Sequence, residues 1–170
     1  YKNFQSKIGI VPQNIFLFND TIANNISMIF DTNNYDKEKM KKIVKICDLE
    51  SLINQTTNGL DALVGEKGVN LSGGQKQKIG IARSLYANKE LLIFDEATNS
   101  MDAISENLIM DNITSQYKDK TIILISHNYS NIKNFDQIIF FDSGKIRNKG
   151  SFNYLIKNDD KFEKLANLKE

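Results

Sequence analysis

The residues best suited to chemistry in this chain sit around Asp95-Glu96. These two acids close the apolar run Leu91-Leu92-Ile93-Phe94. Such a run reads as a short, fully buried strand, and carboxylates at its C-terminal end face the crevice where α/β sheets take ligands. Upstream, Leu71-Ser72-Gly73-Gly74-Gln75 sets a hydroxyl and two glycines directly before a helical pattern. A helix starting there leaves backbone N–H groups unpaired at the positive end of its dipole, which favours an anion. Phosphate cradle, strand and acidic pair together describe phosphoryl chemistry on a nucleotide with a metal ion.

Two further residues sit at strand ends. Gln13 follows Ile8, Ile10 and Val11, a strand running from Ser6 that Pro12 ends. A glutamine there can ligate Mg²⁺ weakly through its carbonyl, orient a water, or simply occupy a turn. His127 stands one step beyond Thr121-Ile-Ile-Leu-Ile-Ser126, read as another buried parallel strand. By itself such a histidine is a structural residue or a donor to an anion.

The positioning elements follow from periodicity. After the glycines, Ile79, Ala82 and Tyr86, with Ile81 and Leu85, give a helix one broad buried face. Asp36 to Leu49 is an amphipathic helix, with Met40, Ile43, Val44 and Cys47 apolar between lysines, and Glu50 to Gln55 forms a second short one. Ile104 to Ser115 is helical. Asp142-Ser143-Gly144 joins two strands of a hairpin, Ser151 caps a last helix from Phe152 to Leu155, and a polar lysine-rich tail is expected to close the chain. The cluster Ile15 to Phe18 reads either as core or as a partner-facing patch.

Composition excludes several classes. The 170 residues suit one domain with a real core. A balance of 22 basic and 21 acidic residues leaves a net charge of +1, so nucleic acid is not an expected partner. Cys47 is the only cysteine, which excludes an internal disulfide and fits a reducing compartment; at its helical position it reads as a small apolar residue. No apolar run approaches bilayer-spanning length.

LSGGQ, followed by LLIFDEAT with a glutamine upstream and a histidine downstream, resembles the nucleotide-binding domain of an ATP-binding cassette (ABC) transporter. The segment IGIVPQNIFLFNDTIANNI is similar to the Q-loop of exporter-type cassettes, and Gly65-Glu66-Lys67-Gly68 to their X-loop. The resemblance implies an α/β fold of the P-loop NTPase (RecA-like) type: a mostly parallel sheet core with an inserted α-helical subdomain. Residues 1–13 would end the first part of that core, 14–86 would form the helical subdomain with X-loop and signature helix, and 87–170 the rest of the core with Walker B, D-loop and switch histidine. The phosphate-binding loop of the family, ending in Gly-Lys-Ser/Thr, occurs nowhere in the sequence. It belongs upstream of the Q-loop, so an N-terminally truncated cassette is expected, as is the start on Tyr1 rather than a methionine.

Carried over by resemblance, ATP and Mg²⁺ are the expected ligands. Asp95 and Gln13 serve the metal, and Glu96, His127 and Gln13 serve hydrolysis. Ser72, Gly73, Gly74 and Gln75 face the nucleotide of a second cassette in a head-to-tail dimer, and Asp102 lies in the D-loop at that interface. Ser100-Met101-Asp102 departs from the family pattern only in Met for Leu, which nearly conserves volume. Glu66 would contact a transmembrane domain fused upstream. The expected setting is the cytoplasmic face of a bacterial inner membrane, with abundant Asn, Lys and Ile fitting an AT-rich genome. A soluble ABC-type ATPase and a degenerate cassette acting as a platform are the alternatives; the exporter-like Q-loop disfavours the first and the intact site residues the second. An isolated piece lacking the phosphate loop is expected to be inactive.

Overall fold

The computed structural model describes residues 2–30, 34–65 and 71–167. In chain order the elements are α1 (Lys2–Gln5), β1 (Ile8–Val11), α2 (Ile22–Ser27), α3 (Lys37–Ile46), α4 (Glu50–Gln55), α5 (Gly73–Tyr86), β2 (Leu91–Asp95), α6 (Ala103–Gln116), β3 (Thr121–Ile125), β4 (Ile138–Asp142), β5 (Lys145–Gly150), α7 (Phe152–Asn158) and α8 (Asp160–Asn167). They fall into two units, Tyr1–Ile125 and Ser126–Glu170. No helix of the described residues is long and apolar enough to cross a membrane.

The first unit is built on a parallel sheet of order β1-β2-β3, with Val11 opposite Phe94 and Phe94 opposite Leu124. Parallel register puts Gly9, Leu92 and Ile122 in one row and Val11, Phe94 and Leu124 in the next, on the same face. Helix α5 lies close on this face: a Cβ at Gly9 would stand 2.8 Å from the Ser84 hydroxyl. Glycine here allows the close approach of strand and helix.

The opposite face corrects one expectation. Strand 91–94 is expected to be fully buried and strand 121–126 buried, yet Ile123 and Ile125 are 45% and 49% exposed, and Ile10 of the neighbouring β1 is 62% exposed. Leu91 and Ile93 are only partly covered. Apolar β-branched runs signal two covered faces, whereas among the described residues helices cover one.

Beside the sheet, α5 is the spine. Ile79, Ile81, Ala82, Leu85 and Tyr86 are buried, as their spacing predicts. Helix α3 is capped by the Asp36 side chain, which accepts from the Lys39 amide, and it buries Met40, Ile43, Val44 and Ile46. Tyr86 anchors it to α5, its hydroxyl accepting from the Asp36 amide at 2.9 Å. Lys78 of α5 reaches Asp48 at 2.6 Å and Ser105 Oγ at 3.3 Å, so one ammonium joins three segments. Cys47 is fully buried, and burial pushes its thiol pKa far above the ordinary range.

The cluster Ile15 to Phe18 is part core and part exposed surface. Leu17 is buried, while Phe16 is exposed and packs edge-on to Phe18, which meets Phe30 in the same way. Asn25 of α2 holds this loop: its Oδ1 accepts from the Phe18 amide and its Nδ2 donates to the Phe18 and Thr21 carbonyls. Arg83 of α5 completes the tie, donating to the Phe16 and Asn25 carbonyls; burial lowers the pKa of this guanidinium. Glu66 and the rest of 66–70 lie outside the described residues.

In the second unit β4 and β5 pair antiparallel around Ser143-Gly144, with Asp142 opposite Lys145. Both turn residues have positive φ, 51° and 75°, the requirement of a two-residue type I′ turn. Ser151 caps α7, whose length to Asn158 exceeds the expected end at Leu155. The polar tail is a further correction. Residues 160–167 form α8, because Phe162, Leu165 and Ala166 fall on one face, with Phe162 and Ala166 buried against Ile138 and Leu155.

Candidate functional site

The C-terminal ends of β1 and β2 bring Gln13 and Glu96 together. Register makes the strands neighbours, Pro12 ends β1, and the next residue lies beside the end of β2. Gln13 Nε2 donates to Glu96 Oε2 at 2.9 Å. The same oxygen accepts from Asn99 Nδ2, also at 2.9 Å. Asp95, next to Glu96, is exposed at the strand end.

Glu96 adopts a left-handed backbone, with φ of 49°. For a residue with a Cβ this costs roughly 1–3 kcal/mol and persists only where surroundings enforce it. Its amide donates to the Ile125 carbonyl of β3 at 3.0 Å, and its carbonyl accepts from the Asn99 amide at 3.3 Å. The chain therefore turns sharply off β2 and presents the carboxylate to Gln13. Ala97 and Thr98 are buried beneath the turn, and the Thr98 hydroxyl donates to buried Glu106 of α6.

At the N-terminus of α5, Ser72 and Gln75 form a capping box. Ser72 Oγ accepts from the Gln75 amide at 3.2 Å, and Gln75 Oε1 accepts from the Ser72 amide at 2.9 Å. Two of the candidate anion-binding groups thus also terminate the helix. The amides of Gly73 and Gly74 have no acceptor among the described residues. A Cβ at Gly73 would lie 3.0 Å from Ser100 Cβ, and one at Gly74 3.0 Å from the Ser100 carbonyl oxygen. Both glycines let the helix start approach the 96–102 loop.

That approach is locked by Gln77, which sequence reasoning passed over. It is only 3% exposed, and its Oε1 accepts from the Ser100 amide at 2.9 Å. A polar residue on the buried face of an amphipathic helix was the available signal. Asn99 was likewise passed over; its position three residues after Glu96 allows a turn contact. Asp102 caps α6 through the Ser105 amide, and hydrogen bonds from Ser105 hold its carboxyl below the ordinary value of 3.8. His127, two positions past β3 and exposed, belongs to the second unit.

The described residues contain no group of three or more His, Cys, Asp or Glu able to cage a metal. The donor set still fits Mg²⁺, which is commonly held by one or two carboxylates together with water and substrate phosphates. Because Gln13 spends its amide nitrogen on Glu96, its carbonyl oxygen is the atom left for a cation.

Residues 1–99 match the family model described as ABC transporter. The chain belongs to the ABC transporter family. Among its relatives, the ATP-dependent lipid A-core flippase of Vibrio vulnificus (strain CMCP6) is 38% identical over 167 residues, covering 98% of this chain and 28% of that protein. The flippase of Haemophilus influenzae (strain 86-028NP) is 37% identical over 166 residues with the same coverage. A bacterial Atm1-family ABC exporter solved with ATP bound superposes with a TM-score of 0.87 at 33% identity, over 96% of this chain and 29% of that one. This ABC chain thus spans under a third of the length of the relatives it matches. Its P-loop NTPase fold, with parallel sheet and flanking helices, is that of the family.

Proposed function

We propose that this chain is the ATP-hydrolysing part of an ABC exporter. The observation that carries this reading is the contact between Gln13 and Glu96 at neighbouring strand ends. A water attacking a γ-phosphate needs a carboxylate held in a fixed orientation to take its proton, and Glu96 is held by two amides on one oxygen. Asp95 and the Gln13 carbonyl would hold Mg²⁺. Bound there, the cation would neutralise phosphate charge as it develops. His127 would donate to the γ-phosphate. Ser72, Gly73, Gly74 and Gln75 would face the nucleotide of a second cassette, with Asp102 at the same interface. The Gly73 and Gly74 amides at a helix N-terminus, which have no acceptor among the described residues, support an anion there.

The division into residues 1–13, 14–86 and 87–170 is kept as a proposal for how the cassette is organised. The remainder of the full-length protein would include a membrane-spanning part, with this chain at the cytoplasmic face of the inner membrane. Nucleotide-driven closing and release of two cassettes would power export of a lipid or lipid-linked glycan. The names of the flippase relatives support a lipid, and a soluble ATPase without membrane domains is the less favoured reading.

The deciding experiment is Glu96→Gln in the full-length protein, which keeps size but removes the proton acceptor. Turnover should fall by about 10² to 10⁴, the usual contribution of a general base. Mg²⁺-ATP binding should survive, and the cassettes should stay associated when ATP is present. Near-normal phosphate release would remove Glu96 from the role of base.

A further inference from the structure

The turn after β2 contains a second donor to the Glu96 carboxylate. We propose that Asn99 is a positioning residue for Glu96, fixing the carboxylate jointly with Gln13; the inference rests on the reading of Glu96 as the base. Its Nδ2 lies 2.9 Å from Oε2, the same oxygen that Gln13 reaches at 2.9 Å from another strand end. An ionised carboxylate only accepts, so the atom facing it must be the amide nitrogen. Two donors arriving from different segments on one oxygen fix both the torsion and the tilt of the group, which a single donor leaves free to swing.

The backbone reinforces the pairing. Asn99 N donates to Glu96 O at 3.3 Å, so the two residues bound one tight turn, and Glu96 holds its left-handed conformation within it. The Asn99 side chain is exposed, and among the described residues its contact is the Glu96 carboxylate, which separates its service to Glu96 from core packing. The turn itself is held from below by buried Thr98 and from the side by Gln77 on the Ser100 amide. Removing the Asn99 amide therefore loosens the carboxylate without unpacking the loop.

The test compares Asn99→Ala and Asn99→Asp in the full-length protein. Asn99→Asp preserves size and turn-forming capacity but replaces the donor with an acceptor beside Glu96. Losing an orienting donor should lower kcat by roughly 3- to 30-fold, a fraction of what a general base contributes. KM for Mg²⁺-ATP should stay within about twofold, since ground-state binding is untouched. Asn99→Asp should be impaired at least as much as Asn99→Ala. In a Glu96→Gln background, single-turnover hydrolysis should show no further loss from Asn99→Ala, because the group being positioned is gone.

Unchanged kcat in both variants overturns the proposal. So does a milder defect in Asn99→Asp than in Asn99→Ala, which would mark a turn-forming role. Additive loss on top of Glu96→Gln overturns it as well. If Glu96→Gln alone keeps normal turnover, the reading of Glu96 fails and the proposal falls with it; if Glu96→Gln is dead and Asn99→Ala is normal, only the proposal fails.

Discussion

Gln13 and Glu96 stand 83 positions apart in sequence and meet through one hydrogen bond of 2.9 Å. Parallel pairing of β1 with β2 makes the meeting possible, since it sets Val11 beside Phe94 and brings both strand ends out on one edge. The bond links the loop that carries exposed Phe16 to the carboxylate proposed as base. Displacing that loop would change how Glu96 is held.

Gln13→Glu tests this link. A second carboxylate against Glu96 Oε2 repels it, whereas Gln13→Ala only removes a donor. Turnover of the full-length protein should fall roughly tenfold in Gln13→Ala and further in Gln13→Glu, in line with the weight of an orienting group on a general base. Steady-state phosphate release at saturating Mg²⁺-ATP checks the order. Equal activity of the two variants would make the contact incidental.

Gln77→Leu addresses the lock between α5 and the 96–102 loop. Leucine suits the buried position, but the Ser100 amide loses its acceptor. Where water cannot replace the lost acceptor, an unsatisfied donor costs about 1–3 kcal/mol. The variant should show faster hydrogen exchange at residues 96–102, with α3 and α4 unchanged. Exchange identical to wild type would mean that the Ser100 amide finds water instead.

Cys47 should be inert in the folded protein. It is fully buried, and burial disfavours its thiolate. Alkylation by iodoacetamide at pH 8 should follow the opening of the α3 region, accelerating across the urea unfolding transition. Rapid labelling in native buffer would contradict the packing around α3.

Much of this arrangement was legible in the sequence, and the exceptions have physical causes. The signature helix, both strand ends and the hairpin follow from periodicity and from turn chemistry. Gln13 and Glu96 could be named individually, but their pairing depends on sheet order, which no local pattern encodes. Gln77 and Asn99 were missed because each acts through a neighbour. Helix α2 escaped notice because its buried face includes polar Asn24 and Asn25; Asn24 donates to the Asp20 carboxylate and Asn25 satisfies the backbone of the preceding loop. The bare face of β3 contradicts a run that reads as buried. Helix α8 hid among lysines because only Phe162, Leu165 and Ala166 carry its period.

Acid should loosen the second unit. Hydrogen bonding and ion pairing with Lys161 lower the Asp142 pKa below 3.8. For Asp159, burial raises the pKa, but the Phe162 amide and the Arg147 guanidinium outweigh it and the net direction is down. A carboxyl depressed in the folded state contributes stability that is fully present above its unfolded pKa. That contribution is lost as pH falls through the folded value. Exchange protection of α7 and α8 should therefore decline below about pH 4. Asp159→Asn should be less stable at neutral pH and less sensitive to acid. An unchanged acid profile in that variant would exclude Asp159 as a contributor.

Phe162→Ala should be the most damaging single change in the second unit. Tyr129, Phe140 and Phe152 each meet the Phe162 ring edge-on, with centroids 5.2, 5.3 and 5.6 Å away. Three aromatic neighbours fixed by a hairpin, a turn and a helix cannot all collapse into the space left behind. Truncating a buried phenylalanine costs about 3–5 kcal/mol, and sites that relax little lie at the upper end. Phe162→Leu keeps part of the volume and should lose less than half as much. Hydrogen exchange of peptides from β4 to α8 in the full-length protein reads both variants. The β1-β2-β3 sheet, which lies in the first unit, should keep its protection, because no residue of that sheet belongs to this cluster. Equal loss of protection in both units would show that they unfold together, and no loss in either would mean that α8 is held by something other than Phe162.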